Sequence, residues 1–286
     1  MSTFTLPDTD VEVKLVEGLS KDELLAFPAF KNWLTLLSSS LSLQHTLPRH
    51  PSHSDPYTLK SITIQSTTRF SATKLGFLTL QAQITNSANE SLPGSIFLRG
   101  PSVGMLVILQ PDDVPVGTEQ EKYVILTVQP RVAAGSLAFV ELPAGMVDFP
   151  DGKEGEGKGV FAGSAAREIW EEVGLRIEED ELVNLSELAG LTGEKEGKGE
   201  EEGLPNAMFP SAGGCDEFIP LFMCEKRVER KQLDTWTGRL TGLRDEGEKI
   251  TLKLIKLDDL WWEGARDAKA LGAWALYSGL KRSGKL

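Results

Sequence analysis

Three carboxylates stand at helical spacing in Arg167-Glu168-Ile169-Trp170-Glu171-Glu172-Val173-Gly174-Leu175. Glu168 and Glu172 are four apart, and Glu171 is three from Glu168. On an α-helix they share one face, with neighbouring β-carbons about 6 Å apart. Three like charges there repel, so a helix gains nothing from them alone. A divalent cation reverses that sign, because hard cations such as Mg²⁺ take carboxylate oxygens and are shared with substrate phosphates. Ile169, Trp170 and Val173 offer apolar contacts to hold the helix down, and Gly174 suits a left-handed stop after the last turn. Taken alone, the run also reads as a solvated acidic face, with Arg167 four residues before Glu171.

Upstream lies Glu141-Leu142-Pro143-Ala144-Gly145-Met146-Val147-Asp148, a strand end entering a glycine loop. Together the two stretches resemble the Nudix hydrolase signature, G-x5-E-x7-R-E-U-x-E-E-x-G-U with U aliphatic. The second half matches at every specified position. The first half departs. Arg167 follows Gly145 by twenty-two positions where the signature has fourteen, so eight residues are inserted, within 151–159. The signature's middle glutamate corresponds to Asp151, Glu154, Glu156 or to no residue, and no role is carried over to it.

Further stretches narrow the resemblance to the ADP-sugar diphosphatases, and most closely to the plant chloroplast members of that group. They are Phe97-Leu-Arg-Gly-Pro101, Glu141-Leu-Pro-Ala-Gly145, Pro210-Ser-Ala-Gly-Gly-Cys-Asp-Glu217 and Thr241-Gly-Leu-Arg-Asp-Glu-Gly-Glu248, and the likeness spans roughly residues 58–280. It implies Mg²⁺-dependent cleavage of ADP-ribose or ADP-glucose to AMP and a sugar phosphate, with Mn²⁺ as a substitute metal. It implies that Glu168 and Glu172 bind the metal, with Glu171 as a further ligand or neighbouring carboxylate and the Ala144 carbonyl completing the set. In the 241–248 loop it points to Glu246 as general base and Glu248 as metal ligand; Glu172 is the other candidate catalytic carboxylate. Arg99 and Arg131 are candidates for diphosphate or ribose contacts through the guanidinium fork, and read equally as structural ion pairs. Glu217 is expected to face the sugar or its metal, with Ser211 and Gly213 shaping that loop. Two other functions fit the same residues: an ADP-ribose-binding module that no longer cleaves, and a Nudix hydrolase of another nucleoside diphosphate, such as a GDP-sugar.

Other chemistries find less support. The three histidines, His45, His50 and His53, share one proline-rich loop, and no G-x-S-x-G elbow is present. Cys215 and Cys224 make no disulfide framework. A net charge of −12 disfavours binding to a nucleic-acid backbone. No apolar run reaches membrane-spanning length, and the first residues lack the pattern of a signal or transit peptide. A cytoplasmic location is the expectation.

These groups need a scaffold. Ser20 and Glu23 fit a capping box opening a helix that is interrupted near Pro28. Tyr57–Gln65 and Lys74–Thr85 alternate as half-buried strands, with Ile62, Ile64, Leu78, Leu80, Ala82 and Ile84 on one face. Val103–Leu109 and Tyr123–Val128 are continuous apolar runs, as in buried central strands. Ile219–Cys224 and Ile250–Ile255 are further strands. Ala268, Leu271, Trp274, Ala275 and Tyr277 give the closing helix a rough helical period. The expected class is α/β: an α/β/α sandwich of the Nudix type with a mixed sheet over residues 94–286, and a smaller N-terminal α+β region, 1–93, with antiparallel strands. The latter is expected to form a homodimer. Acidic glycine-rich inserts are expected near 151–159 and 193–203.

Overall fold

The computed structural model describes residues 2–147, 158–190, 202–243 and 249–286. The inserts near 151–159 and 193–203 fall largely outside these residues, and Glu246 and Glu248 lie wholly outside them. The chain forms two compact units, one running to Pro101 and taking in Ser211–Glu217, the other holding most of the chain from Ser102 onward.

In the first unit a five-stranded sheet is ordered β1 (Thr3–Thr5), β2 (Glu12–Lys14), β3 (Thr58–Arg69), β4 (Leu75–Thr85) and β5 (Ser95–Leu98). Between β2 and β3 come α1 (Lys21–Ala26) and α2 (Pro28–Thr46). The Ser20–Glu23 capping box is formed in both directions, and α2 begins on Pro28, where a missing N–H costs nothing. The six alternating residues expected on one face of β3 and β4 are all buried, and Leu24, Ala29 and Phe30 pack over them. The sheet differs from the expected antiparallel one in a single pairing. β2 runs parallel to β3, because the two helices between them form a crossover, which parallel neighbours require.

The second unit is built on an eight-stranded mixed sheet. Its central strand, β6 (Ser102–Pro111), is buried at all ten positions. It pairs antiparallel with β7 (Tyr123–Arg131) and parallel with a much later strand. β8 (Ser136–Glu141) folds back on β7, and β9 (Ala144–Met146) pairs with β6. Next come α3 (Lys158–Glu168), β10 (Val183–Asn184), α4 (Leu185–Gly190) and β11 (Leu221–Val228), the strand parallel to β6. The chain closes with α5 (Arg230–Leu233), β12 (Leu240–Thr241), β13 (Ile250–Lys256), α6 (Leu260–Glu263) and α7 (Ala268–Arg282).

Alternate residues of β6 enter opposite cores. Val103, Met105, Val107 and Leu109 meet Ala165, Ile169 and Val173 on one face. Leu106 and Ile108 join the cluster that holds Ala270, Ala273, Tyr277 and Leu280 of α7 on the other. The unit is therefore a helix–sheet–helix sandwich. The buried face of α7 shares Tyr277 and, half-buried, Trp274 with the residues its periodicity suggested, and otherwise differs. Ala270, Ala273, Tyr277 and Leu280 are buried while Leu271 is 39% exposed, because two alanines allow a closer approach to the sheet than larger side chains would. Ala270→Leu is therefore expected to overpack this interface and cost about 1–3 kcal/mol. Leu271→Ala should stay within about 1 kcal/mol. Urea unfolding of both variants checks this, and the reverse ranking would restore the other face.

Candidate functional site

The acidic run does not complete a regular α-helix. α3 ends at Glu168, and Ile169–Val173 form a π-helical turn. Gly174 stops it in the left-handed region at φ 73°, its N–H reaching the carbonyls of both Ile169 and Trp170. A turn closed one residue later rotates less per residue, and such turns are rare and frequently found at functional sites. Ile169 and Val173 are anchored in the core under β6, which fixes the direction of the side chains between them.

Glu172 points inward and is 6% exposed. Its Oε2 accepts the Ala144 N–H at 3.0 Å, and its Oε1 accepts from the Gln129 side-chain amide at 3.4 Å. Glu168 lies beside it, with its carboxyl group over the α-carbon of Gly145. A β-carbon at position 145 would collide with all three atoms of that carboxyl, so glycine here makes room for a carboxylate. Glu171 lies on the same turn, half-buried. Among the described residues no three acids, histidines or cysteines gather into a metal-holding group. The expected trio thus appears as a close pair with a neighbour.

Burial pushes the Glu172 carboxyl up to about 8, and the negative charges of Glu168 and, more weakly, Glu141 add to it; the Ala144 N–H and the Gln129 amide oppose the rise. Two acids held together in a poorly solvated place, one against a glycine, fit a hard divalent cation with open positions for other oxygens.

Glu141 is the neighbouring charge. It is 3% exposed, and Arg131 donates Nε–H to its Oε1 at 2.6 Å while Lys269 donates to its Oε2 at 2.9 Å. The Leu142 N–H goes to Asp267 Oδ2 at 2.9 Å, and the Pro143 carbonyl accepts from Met105 N–H at 2.9 Å. Each residue from 142 to 144 is therefore tied down before the chain reaches Gly145. Sequence reading assigned no role to Gln129, Glu141, Asp267 or Lys269. A signal existed for two of them. Thr127, Gln129 and Arg131 are alternate polar positions at the end of an apolar strand, and Glu141 is a lone acid in an apolar run.

Arg99, Ser211, Gly213 and Glu217 belong to the first unit. There Arg99 Nη1 meets Glu217 Oε1 at 3.2 Å, an ion pair, as one of its two readings held. Asp216 fastens the same loop, its carboxylate accepting the N–H groups of Arg99 at 2.8 Å and Gly100 at 3.1 Å. Burial raises Asp216 to about 6, against the pull of those two amides. Gly100 takes φ 82°, which explains glycine at that turn. Ser211 accepts the backbone N–H groups of Gly214 and Cys215 through its carbonyl, at 3.1 and 2.9 Å.

The raised Glu172 carboxyl has a consequence for stability without metal. In the unfolded chain its value is near 4.5, in the folded protein about 8. The folded state therefore holds the proton more tightly, and stability falls as pH rises from about 5 to 8. Glu172→Gln removes that loss. In excess chelator its melting temperature should exceed that of the wild type at pH 8, by a margin that shrinks towards pH 5. A margin that does not change with pH would refute the buried, proton-holding carboxyl.

No family model matches the chain. It is 33% identical over 283 residues to Nudix hydrolase 14, chloroplastic, of Arabidopsis thaliana, a match covering 97% of this chain and 80% of that protein. It also resembles a crystal structure of an ADP compounds hydrolase at a TM-score of 0.41 and 16% identity, over 80% of this chain and 99% of the other; that superposition is too loose to carry detail. With a third of its residues shared along nearly its whole length, and with its acidic turn set against the glycine loop, the chain belongs to the Nudix hydrolase family.

Proposed function

We propose that the protein hydrolyses the diphosphate of ADP-sugars such as ADP-ribose and ADP-glucose, with Mg²⁺, releasing AMP and a sugar phosphate. The observation that carries the reading is the Glu168–Glu172 pair against Gly145 and Ala144. The substrate class is supported by the four stretches around Arg99, Gly145, Gly213 and Glu246 that resemble ADP-sugar diphosphatases.

In this reading Glu168 and Glu172 hold the metal, with Glu171 and the Ala144 carbonyl as further oxygens and Glu248 supplied by the 241–248 loop. Bound Mg²⁺ supplies Lewis-acid polarisation of the phosphate oxygens. Glu172 is oriented by the Ala144 N–H, so the loop and the π-helical turn set each other's geometry. Arg131 presents its guanidinium to the diphosphate. Glu246 is the residue assigned as the base that takes a proton from the attacking water, a role open to a carboxylate. Arg99 and Glu217, with Ser211 and Gly213 in their loop, are assigned to the ribose and sugar. The protein is proposed to pair as a homodimer through the first unit.

One assay tests the activity: Mg²⁺, a panel of ADP-ribose, ADP-glucose, GDP-mannose and a dinucleotide, with release of AMP or GMP followed. Turnover of the ADP-sugars is expected. Glu172→Gln should lose roughly a hundredfold or more, about 2.7 kcal/mol of barrier, although it is the more stable protein without metal. Gly145→Ala should behave alike in rate, because only the flexible Glu168 carboxyl has to move, while its melting temperature stays within a few degrees. Binding without turnover at any metal concentration would make the protein a sensor. Light scattering at micromolar concentration should give about twice the 31.2 kDa chain mass, and a strict monomer would remove the pairing.

A further inference from the structure

Arg131, Glu141, Lys269 and Asp267 form a line of alternating charge. Arg131 and Lys269 each hold one oxygen of Glu141, at 2.6 and 2.9 Å. Lys269 also meets Asp267 Oδ1 at 3.0 Å. Asp267 caps α7 by accepting the Lys269 N–H at 3.1 Å, and its other oxygen takes the Leu142 N–H. The line closes on the residue beside Glu141. The side chains of Glu141 and Asp267 are 4% exposed and that of Lys269 12%, whereas Arg131 is 42% exposed. Burial opposes the Lys269 charge, but Asp267 and Glu141 more than offset it and hold the ammonium above its ordinary value.

The nitrogen that Arg131 gives to Glu141 is informative. An arginine whose whole role is an ion pair does best with a two-pronged contact through its fork. Here Glu141 takes the inner Nε–H alone. Among the described residues Nη1 and Nη2 make no hydrogen bond or ion pair, and they sit at the exposed end of an otherwise buried line. A guanidinium held from behind in this way offers two parallel donors matched to the oxygens of a phosphate.

We propose that Glu141 is a positioning residue, gripping Arg131 by Nε so that its outer nitrogens face the substrate diphosphate, and that Lys269, fixed by Asp267, locks Glu141 in that duty. The proposal rests on the ADP-sugar reading above, in which Arg131 touches the diphosphate. Glu141 acts only through Arg131, so its removal matters little once Arg131 is gone.

The test is a double-mutant cycle on the full-length protein with Mg²⁺: wild type, Glu141→Gln, Arg131→Ala and the double variant. KM and kcat are measured on whichever nucleoside diphosphate compound the wild type cleaves, and melting temperatures are recorded alongside. Glu141→Gln is expected to raise KM roughly tenfold with a smaller change in kcat, and to add less than about twofold in the Arg131→Ala background. Lys269→Met should raise KM in the same direction by a smaller factor. Should Glu141→Gln fail to fold, Glu141→Asp keeps the charge but withdraws the carboxylate by one methylene, and the same loss of effect beside Arg131→Ala is expected. Effects that multiply in the double variant, or a change in melting temperature with KM untouched, overturn the proposal and leave the ADP-sugar reading standing. A wild type that cleaves no compound of the panel removes that reading and this proposal with it.

Discussion

A carboxylate kept out of water, with a half-buried one close beside it, sets the terms for everything around them. Glu172 cannot be solvated, so it must be paid for by its neighbours: the Ala144 N–H, the Gln129 amide and, on the proposed reading, a metal ion. Glu168 stands beside it because Ile169, the next residue, is packed under β6, while its own carboxyl keeps the freedom of a flexible side chain. The backbone of the turn sets the two acids side by side. That proximity is what a cation site needs.

The surrounding architecture follows from holding that pair in place. The π-helical turn lets Ile169, Glu172 and Val173 all be buried. On the sheet side, residues 141 to 146 are secured by the Asp267 side chain that caps α7, by a backbone bond to β6 and by Glu172 itself. The helix layer on one face of the sheet carries the acids, and the layer on the other face reaches the same loop through Asp267 and Lys269. Both layers therefore act on the geometry of one short segment.

Much of this could be read in the sequence, and the limits have physical causes. The apolar runs at 103–109 and 123–128 announced central strands, because only a strand buried on both faces does without alternation. The alternating residues of β3 and β4 named their own buried face, and Ser20 with Glu23 named the first helix start. Three things were not legible. The π-helical turn leaves no pattern, since its sequence is equally compatible with α-helix. The parallel β2–β3 pair depends on how two helices cross, not on either strand. The inward face of α7 carries alanines at 270 and 273, and small residues are weak markers of a face when Leu271 and Trp274 stand beside them. As for the site, the glutamates stood out through the signature they resemble, since spacing alone also fits a solvated face, whereas Lys269 lies 128 residues from Glu141 and only the folded chain joins them.

The all-buried strand β6 has a consequence for how the protein comes off the ribosome. Its parallel partner begins at Leu221, opposite Gly104, so one edge of the most apolar strand in the chain stays unmatched while more than a hundred further residues are made. Pairings so distant in sequence form late, and a bare hydrophobic edge invites association between nascent chains. Synthesis in the cell should accordingly lean on chaperones that shield this segment, and truncation before Val228 should yield aggregates instead of a smaller folded protein.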